Sequence, residues 1–257
     1  WSINHEFLNW MKSSTNEHIV KYFNHDVQKM QLELNDYRSK TTNKIIKLKK
    51  DSVESRILAN SQETEEEKTA LVRKCLNLKD EAEELENDIQ EKSSFLGKVR
   101  GWQETLNDIE FYRNFEYFYH PVFCDNRGRV YTYNTSLSFQ GSSLSKTLVQ
   151  THETQRLSES GLYELQVLLG GMIDGYDKKS PTVRYNRVQE LTEAFEQCIT
   201  HEDYSVIDLL DEDEVLMALN IAFVLYNHKT NPHYKTGIVA YIDATSSAIQ
   251  MQGLIQK

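Results

Sequence analysis

Two long series of heptad-spaced residues constrain this chain more than any other feature of its sequence. Neither series contains proline, and a sustained 4-3 alternation of apolar residues is typical of paired helices. Thr64-Glu-Glu-Glu67 forms a capping box at the start of the second series, and residues 60–62 supply a turn between the two. We therefore predict a long antiparallel helical hairpin over 26–100. The first series is Val27, Met30, Leu34, Tyr37, Thr41 and Leu48, and the second is Leu71, Cys75, Leu78, Ala82, Leu85, Ile89 and Leu96.

The two predicted helices carry opposite charges. The first is rich in lysine near its far end and the second is rich in acids, so they suit each other electrostatically and leave a basic edge for a phosphate backbone. A solvated dimerisation arm explains the same pattern, and periodicity alone favours that interpretation. The basic residues are Lys40, Lys44, Lys47, Lys49, Lys50 and Arg56, and the acidic ones are Glu65, Glu66, Glu67, Asp80, Glu81, Glu83, Glu84 and Glu86.

The rest of the sequence is also mainly helical in pattern. We predict a short helical segment with an apolar face over 1–25 and two helices within 159–200. Another helix is predicted over 204–227, where clustered acids suit the first turn better than a metal site, because the spacing of a calcium loop is missing. The aromatic-rich segment 102–119 predicts a buried helix at the base of the hairpin, ended by the proline that follows.

A β-branched and aromatic run follows Gly237 and ends at Asp243. The run, 238–242, predicts a buried strand, and Ser247-x-x-Gln250 is a capping box for a following helix. One carboxylate therefore lies where a strand gives way to a helix, beside free backbone amides, which favours a metal ion together with a polyphosphate. The alternative role of Asp243 is a helix cap, and the local pattern alone favours it.

A second polar stretch is Asp125-Asn-Arg127-Gly128-Arg129-Val-Tyr131. Arg127 and Arg129 alternate on a strand-like run, which would place both guanidiniums on one face, with Gly128 allowing another backbone to approach. An aspartate that orients one of them would complete a fork suited to phosphates. A salt-bridged surface strand is the alternative.

Together these stretches resemble the single-subunit DNA-dependent RNA polymerases of the phage and mitochondrial type. In that family an Asp-x-x-Gly-Arg element, here 125–129, precedes an Asp-Gly-Ser-x-Ser-Gly-Ile-Gln element, here 243–250, at a similar separation. Gln140-Gly141-x-x-x-x-Lys146 lies between them. A looser resemblance extends to Trp1-Ser-Ile-Asn4 and to the helical region, so it covers essentially the whole chain.

The resemblance implies an α+β, mainly helical fold, in which the 26–100 hairpin is a thumb and 101–257 is the first half of a polymerase palm. It implies RNA synthesis from ribonucleoside triphosphates by two-metal nucleotidyl transfer, with Mg²⁺ as cofactor. Asp243 would then be a catalytic residue and metal ligand, and the Ala244 carbonyl a further ligand. The residues that would contact the RNA–DNA hybrid are Asp125, Arg127, Gly128, Arg129, Tyr131 and Lys146.

The positions that the resemblance places near the nucleotide and its sugar are Ser247, Ala248 and Gln250. In DNA polymerases that share this palm, a glutamate at the position of Ala248 crowds the sugar 2′-position, so alanine there indicates an RNA polymerase. Ala244 and Ala248 stand where glycine is usual in the family, and Met251 where histidine is usual, which adds bulk beside the nucleotide.

The family's fingers helix and second catalytic aspartate belong downstream of the Asp243 element and are not found before Lys257. We therefore expect the smaller chain of a split phage polymerase, active as a heterodimer with a second subunit on a DNA template, with a promoter-recruiting factor. The alternatives are a non-catalytic coiled-coil adapter and a subunit that binds single-stranded nucleic acid through the Arg127 and Arg129 face.

Composition narrows the cellular setting. The net charge of −10 argues against a protein that simply coats nucleic acid, although a local basic groove is compatible with it. No apolar run approaches the roughly 20 residues of a membrane helix, so we expect no membrane partner. The isolated cysteines Cys75, Cys124 and Cys198 predict reduced thiols. We expect the cytoplasm of an infected host cell.

Overall fold

The computed structural model describes residues 1–134, 136–231 and 233–241, and these ranges are mainly helical. The predicted α+β, mainly helical class is confirmed. Two small antiparallel sheets pair β1 (Ser2–Ile3) with β4 (Val149–Gln150), and β2 (Val122–Cys124) with β3 (Val130–Thr132). The helices are α1 His5–Ser13, α2 Glu17–Val20, α3 Val27–Asn60, α4 Glu65–Tyr112, α5 Ser143–Leu148, α6 Glu159–Gly171, α7 Pro181–Ile199, a 3₁₀-helix Ser205–Leu209 and α8 Val215–Thr230.

The chain divides into two compact units. One comprises Trp1–Val20 and Thr105–Lys257, and the other comprises Lys21–Glu104. The second unit contains α3 and most of α4, while the last two turns of α4 belong to the first.

The two heptad series form the long helices that they predict. Asp26 caps α3 by accepting a hydrogen bond from the Lys29 N–H at 3.0 Å, and the Thr64 hydroxyl donates to the Glu67 carboxylate at 2.7 Å at the start of α4. Ile45, Leu48 and Ala82 form a buried cluster between the helices, as in coiled-coil packing. Leu78, Leu85 and Ile89 pack against this cluster and are partly buried.

Ion pairs join α3 to α4 along their exposed flanks. Lys44 contacts Glu81 at 2.8 Å, and Lys49 contacts Glu86 at 2.6 Å. Such exposed pairs contribute little stability, because water screens the charges and ordering long side chains costs entropy. They do neutralise part of the basic edge predicted for the first helix.

The core of the first unit lies among α6, α7 and α8. Gly170, near the end of α6, lets the α7 backbone approach so closely that a Cβ atom there would lie 2.4 Å from the Arg184 carbonyl oxygen. The first half of α8, 215–222, is buried throughout. Its one polar member, Asn220, accepts a hydrogen bond from the Asn4 side chain at 3.2 Å and donates to the Thr147 carbonyl at 3.3 Å. These bonds satisfy an amide that would be costly to bury alone.

The N-terminal helices pack into the same core. Phe7 and Met11 of α1 are fully buried. The Trp10 indole donates to the Ile199 carbonyl at 2.7 Å, and its ring stacks on His201 with the centroids 5.2 Å apart. The predicted helical segment at the start of the chain therefore supports the end of α7.

The prediction of a buried helix over 102–119 is wrong in its second half. The helix ends at Tyr112, and residues 113–120 are irregular. Phe118 enters the core, whereas the neighbouring rings contact one another at the surface, Phe111 with Phe115 at 6.1 Å and Tyr117 with Tyr119 at 5.7 Å. Aromatic density alone therefore did not distinguish burial from a ring cluster on the surface.

The predicted buried strand at 238–242 is wrong for the part that is described. Residues 238–241 have no strand pairing among the described residues and are half-buried or exposed. The preceding residues dock on an extended segment instead: Thr236 forms a bridge with Gln155, and the Thr151 N–H donates to the Gly237 carbonyl at 2.9 Å. A β-branched run becomes a strand only where a neighbouring strand completes its hydrogen bonds.

The acids at 208–214 precede α8 and do not lie in its first turn, which corrects the prediction. The helix begins at Val215, and Asp211 uses a carboxylate oxygen to accept the Asp213 N–H at 3.1 Å. This local turn competes with helical geometry, so the helix starts later than the charge pattern suggests. None of the helices in the described ranges has both the length and the apolar character needed to cross a membrane.

Candidate nucleic-acid interface

The Asp125–Tyr131 element forms a β-hairpin with a three-residue loop. The Asp125 N–H donates to the Arg129 carbonyl at 2.9 Å, and the Gly128 N–H donates to the Asp125 carbonyl at 3.0 Å. Gly128 has a φ of +78°, which glycine adopts without strain. A turn followed by a left-handed glycine is a common way to close a three-residue hairpin loop.

Both arginines therefore lie in or beside this loop, which corrects the prediction that they alternate on a strand. A Cβ at Gly128 would meet nothing of this chain within 4 Å, and the approach of another backbone to Gly128 stays a prediction. Its positive φ is what the loop requires.

The Asp125 carboxylate organises the backbone of this loop. One of its oxygens accepts the N–H groups of Arg127 at 2.8 Å and Arg129 at 2.9 Å. These hydrogen bonds, that from Arg129 foremost, hold the pKa of Asp125 below its usual value, so the group stays ionised at neutral pH. Asp125 thus fixes the backbone turn, and the charge of Arg129 also lowers the pKa of Asp125, while the orientation of a guanidinium by Asp125 stays a prediction.

The guanidiniums of Arg127 and Arg129 are available for anions. Both residues are exposed, and within the described ranges neither has a carboxylate within salt-bridge distance. Strand register places Arg129 on the same face of the hairpin as Tyr131, which pairs with Phe123 across the strands with ring centroids 5.6 Å apart. The loop thus presents two cations next to exposed aromatic rings, a combination suited to nucleic acid.

The hairpin is joined to α5, which carries Lys146, by a network of short polar contacts. The Gln140 side chain bonds to the exposed edge of β3, accepting from the Thr132 N–H at 2.9 Å and donating to the Val130 carbonyl at 2.8 Å. The Thr132 hydroxyl contacts the Ser138 hydroxyl at 2.7 Å. Ser145 in turn accepts the Ser138 N–H at 2.6 Å and donates to the Ser138 carbonyl at 2.8 Å.

Lys146 lines a cleft of about 560 Å³. Its Nζ atom lies 5.6 Å from the centre of the Tyr241 ring, and the Tyr241 hydroxyl donates to the Lys146 carbonyl at 3.2 Å. Burial raises the pKa of Tyr241 to about 12, so the hydroxyl remains a neutral donor. Arg184 supplies a second cation, whereas the acids on the cleft are Asp177, Asp211, Asp213 and Glu214.

The predicted catalytic and nucleotide-proximal residues lie outside the described part of the chain. They are Asp243, Ala244, Ser247, Ala248 and Gln250. Tyr241, the last residue that the structure describes, lines the Lys146 cleft. Asp243 follows it by two positions in the sequence. Within residues 1–134, 136–231 and 233–241, no group of three or more His, Cys, Asp or Glu residues is arranged to hold a metal ion.

Two features of this surface were not predicted from the sequence. The bonds of Gln140 to β3 and the contact of Tyr241 with Lys146 join residues whose spacing carries no periodic signal. The density of serine and threonine between 132 and 147 is the one local indication of a hydroxyl network.

The chain is similar to several proteins named probable DNA-directed RNA polymerase. It is 30% identical to one from Neurospora crassa over 133 residues, which cover 52% of this chain and 14% of that protein. It is 33% identical to one from Gelasinospora sp. over 155 residues (57% and 17%), and 28% identical to one from Agaricus bitorquis over 165 residues (63% and 15%). The chain thus spans less than one fifth of these relatives' length. No protein-family model matches it.

The matches support the resemblance to the single-subunit polymerase family that the two motifs indicate.

Proposed function

We propose that this chain is a component of a DNA-directed RNA polymerase of the single-subunit family. The observation that carries the proposal is the Arg127 and Arg129 loop, which is exposed, held by Asp125 and joined by Gln140 to the helix of Lys146. The similarity to proteins named probable DNA-directed RNA polymerase supports it. The substrates would be a DNA template and ribonucleoside triphosphates.

In this proposal the loop binds the RNA–DNA hybrid through its phosphates. Arg127 and Arg129 supply cations, and Asp125 and Gly128 fix the backbone from which they project. Tyr131 adds a ring beside them, and Lys146 adds a third cation on the cleft, whose lining also carries four acids. The α3 and α4 hairpin would be the thumb that holds the template and the nascent RNA.

Asp243 and the Ala244 carbonyl would hold Mg²⁺, with Ser247, Ala248 and Gln250 close to the incoming nucleotide. Bound magnesium would supply charge stabilisation for nucleotidyl transfer. We further propose that a second subunit contributes the fingers and the other catalytic aspartate, that a separate factor recruits the promoter, and that the enzyme works in the cytoplasm of a phage-infected cell.

The nucleic-acid role of the loop is tested by Arg129→Ala. We expect a loss of about 1–3 kcal/mol in binding free energy for a short RNA–DNA duplex, because one charge-assisted hydrogen bond is removed. The slope of the logarithm of the binding constant against the logarithm of the salt concentration should become shallower by about the amount that one phosphate contact contributes. Fluorescence anisotropy across a salt series measures both quantities.

Arg113→Ala is the matched control, because Arg113 is an exposed arginine already paired with Glu110 at 3.1 Å. It should change neither the affinity nor the salt slope. If the Arg129→Ala protein binds the duplex as the Arg113→Ala protein does, Arg129 is an ordinary surface residue and does not contact the phosphates.

The partner requirement predicts that the chain alone is inactive in template-dependent RNA synthesis and gains activity on addition of the second subunit. The reason is that two-metal transfer needs a second carboxylate, which the proposal assigns to the other subunit. The subunit interface should bury more than about 2,000 Å², as obligate interfaces do. Gel filtration with transcription assays of the separate and mixed chains measures this, and robust synthesis by the isolated chain would contradict it.

A non-catalytic coiled-coil adapter is the second candidate. The ion pairs Lys44–Glu81 and Lys49–Glu86 favour it, because they consume charge that a thumb would direct at nucleic acid. An adapter would bind the RNA–DNA duplex no better than the Arg129→Ala protein does, so the same titration distinguishes the two candidates.

A further inference from the structure

The side chain of Gln140 takes the place of a neighbouring strand on β3. The residues on either side of β3 bond to the residues on either side of β2: the Arg129 carbonyl accepts from the Asp125 N–H, and the Tyr133 N–H donates to the Pro121 carbonyl. Because bonding alternates along an antiparallel strand, the Val130 carbonyl and the Thr132 N–H face away from β2. Gln140 meets both, with its oxygen 2.9 Å from the Thr132 nitrogen and its nitrogen 2.8 Å from the Val130 oxygen. One primary amide thus satisfies a carbonyl and an N–H two residues apart, as the backbone of an added strand would.

Hydrogen bonds of Ser138 fix the position of Gln140. The Gln140 backbone N–H donates to the Ser138 hydroxyl at 3.0 Å, and the Ser138 hydroxyl contacts the hydroxyl of Thr132 in β3. Ser138 and Ser145 are fully buried, and their two mutual hydrogen bonds attach the segment to α5. The amide is therefore anchored on the helix that carries Lys146.

A two-stranded hairpin with an exposed loop has little rigidity of its own. β2 and β3 have three residues each, and most of their side chains are exposed, so burial does little to fix the direction of the loop. The contacts of β3 with Gln140 and Ser138 supply that restraint within the described chain. Val130 follows Arg129 directly, so the attachment point is adjacent to the cation.

We infer that Gln140 is a positioning residue, which fixes the Arg127 and Arg129 loop relative to Lys146 so that the three cations bind one nucleic-acid backbone together. The inference rests on the proposed function, and it adds a residue that acts through the arginines without contacting the phosphates. Pre-ordering the cations removes part of the entropy cost that binding would otherwise incur.

The attachment itself is tested in the free chain with Gln140→Ala. The Thr132 amide loses its acceptor, so its hydrogen exchange, followed by NMR, should accelerate at least about fivefold, the equivalent of one net hydrogen bond. Amides of α6 and α8 should exchange as in the wild type, which shows that the fold is intact. Unchanged exchange at Thr132 overturns the inference.

The functional consequence is tested by a double-mutant cycle with a short RNA–DNA duplex as the probe. Gln140→Ala should weaken binding about fivefold and make the salt slope shallower, although no charge is removed. Combined with Arg129→Ala, it should add less than its separate effect, because Gln140 acts through the arginine. Gln189→Ala, at an exposed glutamine on α7, is the control and should bind as the wild type does.

The outcomes separate the two proposals. If the wild-type chain fails to bind the duplex, the proposed function fails, while the exchange measurement still decides whether Gln140 holds the hairpin. If the wild type binds and the Gln140 and Arg129 effects add fully, Gln140 has an independent role and the positioning inference is wrong.

Discussion

Replacing Gly170 with alanine is expected to lower the free energy of unfolding by about 3 kcal/mol, near the upper end of the range for overpacking. The added methyl group would lie 2.4 Å from the Arg184 carbonyl oxygen and 2.7 Å from its carbonyl carbon. Both are backbone atoms, so relief requires α6 and α7 to separate along their contact. Urea denaturation monitored by circular dichroism measures the change.

Gly161→Ala is the control in the same helix. A Cβ at Gly161 would meet the Ser158 hydroxyl oxygen at 3.5 Å, an ordinary contact, so that protein should be as stable as the wild type or more stable by about 0.4–1 kcal/mol. A Gly170→Ala protein with wild-type stability would mean that the two helices do not approach as closely as described. The site would be affected too, since Gly171 and Arg184 line the Lys146 cleft.

The helical part of the fold could be predicted because it depends on local periodicity. Cys75 and Ala82 are buried at heptad positions, and α6 and α7 are the two helices predicted within 159–200. Ile45 was missed because the alternation of the first series would place its next member after Thr41 at Lys44, whereas the residue buried between Thr41 and Leu48 is Ile45. The seam then continues through Ser52 and Ser55, small polar residues that hydropathy alone does not mark as buried.

The strands could not be predicted in the same way, because a strand is defined by what lies beside it. Arg127 and Arg129 alternate as strand residues would, but Asp125 and Gly128 determine the local geometry as a turn. The spacing from Asp125 to Gly128 is itself a turn signal in the sequence, and it prevails over the alternation of the arginines. For 238–241 the sequence offers no equivalent signal, since whether a strand pairs with this segment depends on distant parts of the chain, and none does so among the described residues.

The sequence predicts which types of residue form the candidate site, but only part of how they are arranged. The positions of the arginines and of Lys146 were named from motifs, yet nothing in the sequence joins Lys146 to Tyr241 across 95 positions. Gln140 belongs to a motif that carries the resemblance, but its bonds to Val130 and Thr132 form only once the hairpin is folded. Motifs identify residue types, whereas tertiary packing decides which of them act together.

Asp243→Asn is expected to reduce the rate of RNA synthesis by the assembled enzyme at least about 10³-fold, on the order of 4 kcal/mol of transition-state stabilisation. The substitution preserves size and shape and removes one negative charge. Without that charge the side chain would no longer hold Mg²⁺ against the triphosphate. Single-turnover nucleotide addition at saturating template, titrated with magnesium, measures the change.

The prediction separates the two roles of Asp243 that the sequence allows. Asparagine caps helices as well as aspartate does, so a cap residue would tolerate the change with almost no effect. A metal ligand would not, although subunit assembly and binding of the RNA–DNA duplex should stay at wild-type levels, because Arg127, Arg129 and Lys146 are unaltered. Asp80→Asn, at an exposed position of α4, controls for the loss of one carboxylate elsewhere. If the Asp243→Asn enzyme transcribes within a few-fold of the wild type at saturating magnesium, Asp243 is a cap and the polymerase proposal loses its catalytic residue.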